Sequence, residues 1–376
     1  MSILWWVTIV ALAALVAVWV GYPLVMWLAS LIFRRPIRPD AIRGATRDVT
    51  VILATREPIG PIESRVRNVL DTDHPAHLIQ VVVALDASRA DADIAQVERI
   101  DPRVRAIIGD EPGGKAATLN AGVRAASTDL LVMADSAQRF DRMTIPVLAA
   151  AMEDTRFGAV SGALRLPRSG PVTWPIRLYW RLEKALRNFE ALVHSSIGVT
   201  GAVYAVRRSL WPIIPPVVLL DDVHVPLSIV VAGHRVGFCY DSVATESRVL
   251  SAQEERVRKV RTLTGVLQLS AFIPGLLSFR RNPVLFQLVG HKYARLTSPF
   301  FLIVAIGAGS ITVVEALMQQ EFRTIAVLLV LALGVMLIST LRRMTISMMR
   351  WLFEMQIATA QAVGNALRGR WDVWDR

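Results

Sequence analysis

The feature that most constrains the fold is a long stretch, from Ser2 to Phe33, without a single charged side chain. About 20 apolar residues suffice to cross a bilayer. A cleaved signal peptide would have a shorter apolar core, a basic residue ahead of it and a small-residue cleavage site after it, and this stretch has none of these features. The segment 1–33 is therefore predicted to be an uncleaved transmembrane anchor.

Basic residues follow the anchor directly, at Arg34, Arg35, Arg38, Arg43 and Arg47. The positive-inside rule then predicts that the next part of the chain is cytoplasmic. Two further uncharged runs, 296–314 and 324–341, have basic residues on their outer flanks. We therefore expect two transmembrane helices within 296–341, and a multi-pass protein of the cell (inner or plasma) membrane with a cytoplasmic catalytic domain.

The segment 342–376 is predicted to be an amphipathic helix in the membrane interface, followed by a cytoplasmic tail. Polar residues between Arg343 and Arg368 recur at intervals of three, four and seven, which places them on one stripe of a helix. A helix that lies in the cytoplasmic interface explains this stripe. A fourth span that packs the stripe against its neighbours is the alternative.

The composition excludes several classes of protein. The mean hydropathy of +0.44 is too high for a disordered or purely soluble chain. The net charge is +11, from 42 basic and 31 acidic residues, and many arginines flank apolar runs, which favours a membrane surface over nucleic acid as the partner. A single cysteine, Cys239, excludes an intrachain disulfide and a thiolate zinc site.

The segment 48–263 has the pattern of an α/β domain. Its strand-like runs are VTVILAT (49–55), IQVVVAL (79–85), VRAII (104–108) and LLVMA (130–134), and helical patterns lie near 60–71, 91–99, 115–126 and 142–154. Continuous Val, Ile and Leu runs separated by helices predict a mostly parallel sheet that is covered on both faces. Ligands of such sheets bind beyond the carboxyl ends of the strands.

Polar residues stand at those strand ends. They are Thr55 at the end of the first strand and Glu57 just beyond it, Asp86 after the second strand and Asp135 after the fourth. A single carboxylate here could simply cap the next helix, but the intervening GGKAATLN segment (113–120) favours a phosphate site. Of the 42 basic residues 38 are arginines, so a lysine at position 115 is unusual for this chain. The compact ammonium of Lys115 is suited to bind a diphosphate beside a helix N-terminus.

The order of these motifs resembles that of the membrane-bound family 2 glycosyltransferases, and in particular the cellulose, chitin and poly-N-acetylglucosamine synthase-like group. The likeness covers about residues 48–300. It includes, in the family's order, VVVALDAS, GGKAATLNAG, LLVMADS, the segment 180–208, LLDDVHVPLS and QEERVRKVRTL. The resemblance implies a GT-A fold, which is an α/β, Rossmann-like domain with a mostly parallel sheet, combined with transmembrane and interfacial α-helices.

The resemblance also implies roles for individual residues. Asp222 would be the general base, and Gly201 and Asp221 would lie on the acceptor side. The residues that would bind the nucleotide sugar are Thr55, Glu57, Asp86, Lys115, Asp135, Gln253 and Arg256. Asp135 would also hold a Mg²⁺ or Mn²⁺ ion that bridges the phosphates.

Two departures from the family pattern bear on the metal and on the product. The second carboxylate of the family's DxD motif is missing, since Asp135 is followed by Ser136 and Ala137, although magnesium sites often use only one or two carboxylates. Ceramide glucosyltransferases also tend to keep only the first Asp, which favours a lipid acceptor. Val257 replaces the Trp of QxxRW, which argues against chain extension, and the basic strip 256–261 is equally explained as a membrane-facing surface.

The sequence thus predicts a membrane-anchored inverting glycosyltransferase that moves a sugar from a nucleotide donor, expected to be UDP-linked, to a polysaccharide or lipid-linked acceptor. One alternative is the non-processive glycosylation of a membrane lipid. Another is a catalytically impaired subunit that binds nucleotide or polymer. The predicted segments are 1–33, 48–263, an amphipathic interface segment at 264–295, 296–341 and 342–376. A second copy or an export partner could complete a polymer channel.

Overall fold

The computed structural model of the chain describes residues 3–37, 47–89, 94–167, 174–247, 252–318, 326, 329–330, 333 and 339–371. Within these residues the strands are β1 (Val49–Thr55), β2 (Ile79–Leu85), β3 (Val104–Ile108), β4 (Leu130–Ala134), β5 (Gln138–Phe140), β6 (Phe157–Arg165), β7 (Val203–Arg207) and β8 (Arg235–Glu246). The domain helices are α2 (Ile59–Leu70), α3 (Ile94–Glu98), α4 (Lys115–Ala125), α5 (Thr144–Ala151), α6 (Trp174–Val193), α7 (Asp221–Val231) and α8 (Ala252–Phe272). The helices outside it are α1 (Ile3–Ile32), α9 (Ser298–Met318) and α10 (Ser339–Leu367).

The strands form one mixed sheet in the order β3-β2-β1-β4-β7-β6-β8-β5. The strands β3, β2, β1 and β4 are parallel, which confirms the α/β architecture and the bounds of the four predicted strands. The strand β7 runs antiparallel to both β4 and β6. The second half of the sheet is therefore mixed, with β8 parallel to β6 and antiparallel to β5.

The register brings the polar residues after β1, β2 and β4 to one edge of the sheet. Thr55 pairs with Leu85, and Leu53 pairs with Ala134. Because these strands are parallel, the residues that follow them leave the sheet on the same side. The predicted clustering of the strand-end residues is therefore a direct result of the pairing.

Strand β1 is buried on both faces and so joins the two layers of the core. Its residues Val51 and Leu53 pack in the cluster that contains Ile62 of α2. On the other face, Ile52 packs in the cluster that contains Leu119 of α4. A strand covered by helices on both faces has no polar side, which explains its continuous apolar sequence.

Two helices within the described residues, α1 and α9, are long and apolar enough to cross a membrane. They pack against each other in antiparallel fashion: Trp19 donates a hydrogen bond to Ser298, and Gly309 lies beside Thr8. These helices match the predicted anchor and the first of the two C-terminal spans. The other predicted span, 324–341, falls mostly outside the described residues.

The helix α10 packs along α8. Its buried side chains include Met355, Ala358 and Ala362, whereas Met349 and Phe353 are exposed. The predicted amphipathic segment therefore forms a helix with one face on the domain, and its position in a membrane interface stays a prediction. The predicted boundary at 263 falls inside α8, which continues to Phe272.

Candidate active site

Asp86 fixes the glycine turn that precedes α4. Its carboxylate accepts hydrogen bonds from the Gly114 amide at 2.7 Å and from the Ser88 hydroxyl at 2.6 Å. Burial raises the pKa of Asp86, but these hydrogen bonds lower it by more, so the pKa lies below its ordinary value. Gly114 has φ +87°, which a residue with a side chain rarely adopts. The turn therefore aims the N-terminus of α4 at the edge of the sheet.

Thr55 and Glu57 lie on the loop beside this turn. The Thr55 carbonyl accepts a hydrogen bond from the Asp86 amide, and the Thr55 hydroxyl accepts one from the Glu57 amide at 3.0 Å. Arg89 donates to the Glu57 carbonyl at 3.0 Å, which ties the two strand-end loops together. The structure thus brings three of the predicted nucleotide-binding residues to one place.

Lys115 lies at the centre of the site, at the first position of α4. Its Nζ is 3.2 Å from Asp135 Oδ1 and 3.2 Å from Asp221 Oδ2. We call the three carboxylates of Asp135, Asp221 and Asp222 the acidic triad. Burial lowers the pKa of Lys115, but the charges of the triad raise it by more, so the ammonium keeps its proton.

Asp221 and Asp222 belong to the first turn of α7, where the helix dipole favours negative charge. Leu220, rather than either aspartate, occupies the N-cap position, so capping does not explain the pair. Burial raises the pKa of Asp222, and the neighbouring Asp221 raises it further, against the opposing charge of Lys115. A carboxylate with a raised pKa is suited to take a proton from a substrate.

Gly201 leaves space in front of the triad. A Cβ atom added at Gly201 would lie 3.3 Å from Asp222 Cβ and 3.9 Å from Lys115 Nζ. A larger residue would therefore project its side chain over the base and the lysine. The predicted role of Gly201, to let an acceptor approach, stays a prediction, but the residue does lie next to Asp222.

Arg65 is a residue of the site that the sequence analysis missed. Its side chain is fully buried, and its Nε donates a hydrogen bond to the Asp135 carbonyl at 2.9 Å. Burial and the nearby Arg139 lower the pKa of Arg65 to about 9. The signal in the sequence is weak: Arg65 stands within the apolar stripe of α2 formed by Ile62, Val66 and Val69.

Tyr204 of β7 lies under the triad and was also missed. Its side chain is buried, and the described part of the chain supplies no hydrogen-bond partner for its hydroxyl. Burial and the charges of the triad raise the pKa of Tyr204 well above its ordinary value. A neutral tyrosine therefore forms the floor of the site.

The basic residues near the start of α8 lie in different surroundings. Arg258 lies over the Trp180 ring and Lys259 over the Trp351 ring. Arg256 is exposed. Burial lowers the pKa of Arg261 below its ordinary value, and the charges of Asp222 and Asp221 oppose this shift only in part. The side chain of Gln253 lies outside the described residues.

The contacts of α8 explain why Arg261 faces the triad. Gln268 accepts a hydrogen bond from the Leu219 amide at 3.0 Å, and Gly265 is pressed against Leu220. Arg261 precedes Gly265 by one helical turn, so the two residues share a face. That face covers the residues that lead directly into Asp221.

The carboxylates suit a cation that is shared with a substrate. Asp135 is one-third exposed, and Ala137 supplies no second carboxylate. Within the part of the chain that the structure describes, no three His, Cys, Asp or Glu residues are grouped so that they could hold a metal ion. The residues fit Mg²⁺ or Mn²⁺ when Asp135 is the protein ligand and a bound diphosphate and water supply the others.

Comparisons with known proteins agree with this architecture. Residues 50–213 match the family model described as glycosyl transferase family 2. An N-acetylglucosaminyltransferase of Rhizobium meliloti (strain 1021) is 29% identical over 165 residues, which is 40% of this chain and 38% of that protein. The chain therefore spans about two fifths of the length of the curated relative it matches.

A solved structure is similar in fold. The mannosyltransferase PcManGT of Pyrobaculum calidifontis, in complex with GDP-Man and Mn²⁺, has a TM-score of 0.70 and 24% identity, and the match covers 96% of this chain and 99% of that chain. At this identity the likeness shows the fold alone. S. aureus TarS, residues 1–349, has a TM-score of only 0.42 and 13% identity over 73% of this chain and 92% of that chain.

Proposed function

The chain carries a family 2 glycosyltransferase domain with the GT-A fold, and we propose that it transfers a sugar from a UDP-linked donor with inversion at the anomeric carbon. The acceptor in this proposal is a glycan or a lipid-linked molecule at the cytoplasmic face of the cell membrane. The helices α1 and α9 anchor the enzyme there. Their length, their apolar composition and their mutual packing support this part of the proposal.

The observation that carries the proposal is the position of Lys115 among the three carboxylates of the triad. An ammonium at a helix N-terminus is suited to stabilise the charge that builds on a departing diphosphate. Asp222, on the first turn of a different helix, is suited to take a proton. The two functions that an inverting transfer requires are therefore combined in one site.

In the proposed reaction Asp222 takes the proton of the acceptor hydroxyl. The acceptor oxygen forms a bond to the anomeric carbon while the bond from that carbon to the diphosphate oxygen breaks. Lys115 stabilises the negative charge on the leaving nucleoside diphosphate. The divalent cation, when bound at Asp135, supplies further neutralisation of that diphosphate.

Asp86, Thr55 and Glu57 form the nucleotide side of the proposed pocket, and Gly201 and Asp221 the acceptor side. Asp86 keeps its charge because of its hydrogen bonds, so it can accept hydrogen bonds from a ribose or nucleobase as well as hold the turn. The adjacent Arg65 holds the backbone of Asp135 in place. The proposal thus gives each of these predicted residues a place at one continuous edge.

Turnover of purified full-length protein in nanodiscs tests the proposal. We expect release of nucleotide from one member of a panel that includes UDP-N-acetylglucosamine and GDP-mannose, and mass spectrometry of the products identifies the acceptor. A glycosylated nanodisc lipid would favour the alternative of a lipid acceptor. Binding of nucleotide without turnover of any donor would favour the alternative of a catalytically impaired subunit.

The assignment of the base is tested by two neighbouring substitutions. Asp222→Asn is expected to lower turnover by roughly 10²- to 10⁴-fold, since a general base is lost, while UDP binding stays close to that of the wild type. Asp221→Asn serves as the matched control on the same helical turn. Near-normal turnover of Asp222→Asn together with an inactive Asp221→Asn would show that the base is Asp221.

A further inference from the structure

An exposed loop with large apolar side chains connects α8 to the segment that leads into α9. We call residues 274–281 the apolar loop. Its side chains Leu277 and Phe279 are 56% and 90% exposed. Neighbouring apolar side chains that extend this far into water mark a surface that another molecule covers. The sequence predicted an interface segment over 264–295, and its most exposed aromatic side chain, Phe279, belongs to this loop.

The buried side chain of Asn282 holds the apolar loop in a defined conformation. Its Nδ2 donates a hydrogen bond to the Leu276 carbonyl at 2.6 Å, and its backbone amide donates one to the Ser278 carbonyl at 2.9 Å. The Leu276 side chain is buried in the core of the domain. The loop is therefore fastened to the domain on one side, and Leu277 and Phe279 project from it.

Two arginines directly follow these apolar side chains. Arg280 and Arg281 are both exposed, and within the described part of the chain neither forms an ion pair with a carboxylate. The stem of Arg281 packs on Gly275, where an added Cβ atom would lie 2.8 Å from Arg281 Cδ. Gly275 has φ +86°, which a residue with a side chain rarely adopts. The turn of the loop thus provides the space that the Arg281 stem occupies.

The sequence around the apolar loop carries positive charge alone. None of the residues 256–314 is acidic, and eight of them are Lys or Arg. Some of these cations are used inside the protein: Lys292 and Arg295 lie 3.6 and 3.0 Å from the carboxylate of Glu183. The two arginines of the apolar loop are exposed instead. Their charge complements an anionic surface outside the chain.

The exposed apolar residues continue from the loop towards the two apolar helices. After the loop, the chain runs through the helical segment 285–296 to α9, which begins at Ser298. Phe286 of this segment is 63% exposed, and its ring centroid lies 5.9 Å from that of Tyr22 in α1. The loop is therefore tied to both of the helices that are long and apolar enough to cross a membrane.

We propose that the apolar loop inserts Leu277 and Phe279 into the cytoplasmic leaflet of the membrane and that Arg280 and Arg281 bind the headgroups of anionic phospholipids. This inference rests on the membrane part of the proposed function, since it takes α1 and α9 to anchor the chain. It does not depend on the sugar donor, the acceptor or the catalytic base.

An anionic membrane fits both parts of this surface. The acyl chains take up the apolar side chains, and the headgroup phosphates accept charge-assisted hydrogen bonds from the guanidinium groups. Arginine side chains are long enough to reach the headgroups while their apolar neighbours lie deeper. A symmetric contact with a second copy fits less well, because it would bring the arginines of both copies together without an acidic residue from 256–314.

The depth of the loop in the bilayer is measured by fluorescence quenching. The full-length protein in nanodiscs carries Ser278→Cys in a Cys239→Ser background, labelled with the fluorophore NBD, so that Leu277 and Phe279 stay in place. We expect strong quenching by lipids that carry a nitroxide on the acyl chain, because the label then lies within the leaflet. The same label at Arg105→Cys, on the exposed surface of β3, is the matched control and is expected to be quenched weakly.

Substitutions in the same labelled protein separate the two parts of the surface. Phe279→Asp is expected to lower the quenching to the level of the control, because a carboxylate is costly within the leaflet. Phosphatidylglycerol in a phosphatidylcholine nanodisc is expected to favour insertion by up to about fivefold for each arginine. Arg280→Gln and Arg281→Gln should each lower this gain, whereas Arg105→Gln should not. All of these side chains are exposed, so the melting temperature should stay close to that of the wild type.

The outcomes separate this inference from the proposed function, since none of these measurements needs turnover. Quenching at Ser278→Cys no stronger than at Arg105→Cys would overturn the inference, even in an active transferase. A blue-shifted NBD emission without quenching by any spin-labelled lipid would show that protein, such as a second copy, covers the loop, and would overturn it as well. Insertion that is indifferent to phosphatidylglycerol would overturn the binding of anionic headgroups. A loop that inserts in a protein without transferase activity would overturn the proposed function alone.

Discussion

At the scale of single residues, Lys115 is the point on which the charges of the site converge. Its role in the site could be predicted because it follows two glycines, and because a lysine is rare in a chain whose basic residues are mostly arginines. Asp135 and Asp86 could be placed beside it because continuous apolar runs fixed the strand ends. Arg65 could not, since an arginine within an apolar helical stripe gives no indication in sequence that its side chain reaches a backbone carbonyl.

Ala137 makes a testable difference to metal binding. With Asp135 as the only protein carboxylate on the cation, the protein alone should bind Mn²⁺ weakly, and UDP should raise the Mn²⁺ affinity by about 10- to 100-fold, with a reciprocal effect of Mn²⁺ on UDP. Ala137→Asp should tighten Mn²⁺ binding in the absence of UDP, and this tighter binding does not require that turnover become faster. Calorimetric titrations with and without UDP measure both effects.

Equal Mn²⁺ affinity of the wild type with and without UDP would contradict a cation shared with the diphosphate. UDP binding that does not respond to metal at all would point instead to neutralisation of the diphosphate by Lys115 and the arginines of α8. The variant Ser136→Asp is the matched control, since it adds the same charge one position earlier along the strand end.

At the scale of elements, α8 shows why a motif does not by itself locate a side chain. Arg256 matches the basic residue of the family motif, but it is exposed, and on a helix it lies roughly 140° from Arg261. The packing of Gly265 and Gln268 on the chain before α7 determines which face turns inward. That packing depends on residues 40 and more positions away along the chain, so no local pattern in α8 reveals it.

The two arginines therefore give opposite expectations. Arg261→Gln removes a cation that faces the triad and should weaken donor binding by about tenfold or more, which corresponds to the loss of a hydrogen bond to a charged group. Arg256→Gln should change it less than about twofold, as expected for an exposed side chain. Donor KM and calorimetric UDP affinity measure the difference. The reverse result would support the motif-based role of Arg256.

At the scale of the whole molecule, the apolar helix α1 and the domain are joined through buried polar contacts as well as through apolar packing. Tyr22 of α1 donates a hydrogen bond to Glu190 of α6, and Arg235 donates to the Ala191 carbonyl of α6 and to the Arg35 carbonyl just after α1. The sequence predicted α1 and α9 from hydropathy, because length and apolar composition suffice for that. It could not predict the contacts between them and the domain, which depend on tertiary packing.

The packing of α10 on α8 gives the topology a direct test. Because α8 belongs to the domain and α10 packs on α8, the C-terminal part of α10 is expected on the same side of the membrane as the domain. The exposed Arg370 and the exposed Arg105 on β3 are therefore both expected on the cytoplasmic side. The single cysteine makes the test simple: in a Cys239→Ser background, Arg105→Cys and Arg370→Cys are labelled with an impermeant maleimide in inverted and right-side-out vesicles. Both should react in inverted vesicles only, and labelling of Arg370→Cys from the outside alone would establish a C-terminal segment that crosses the membrane once more.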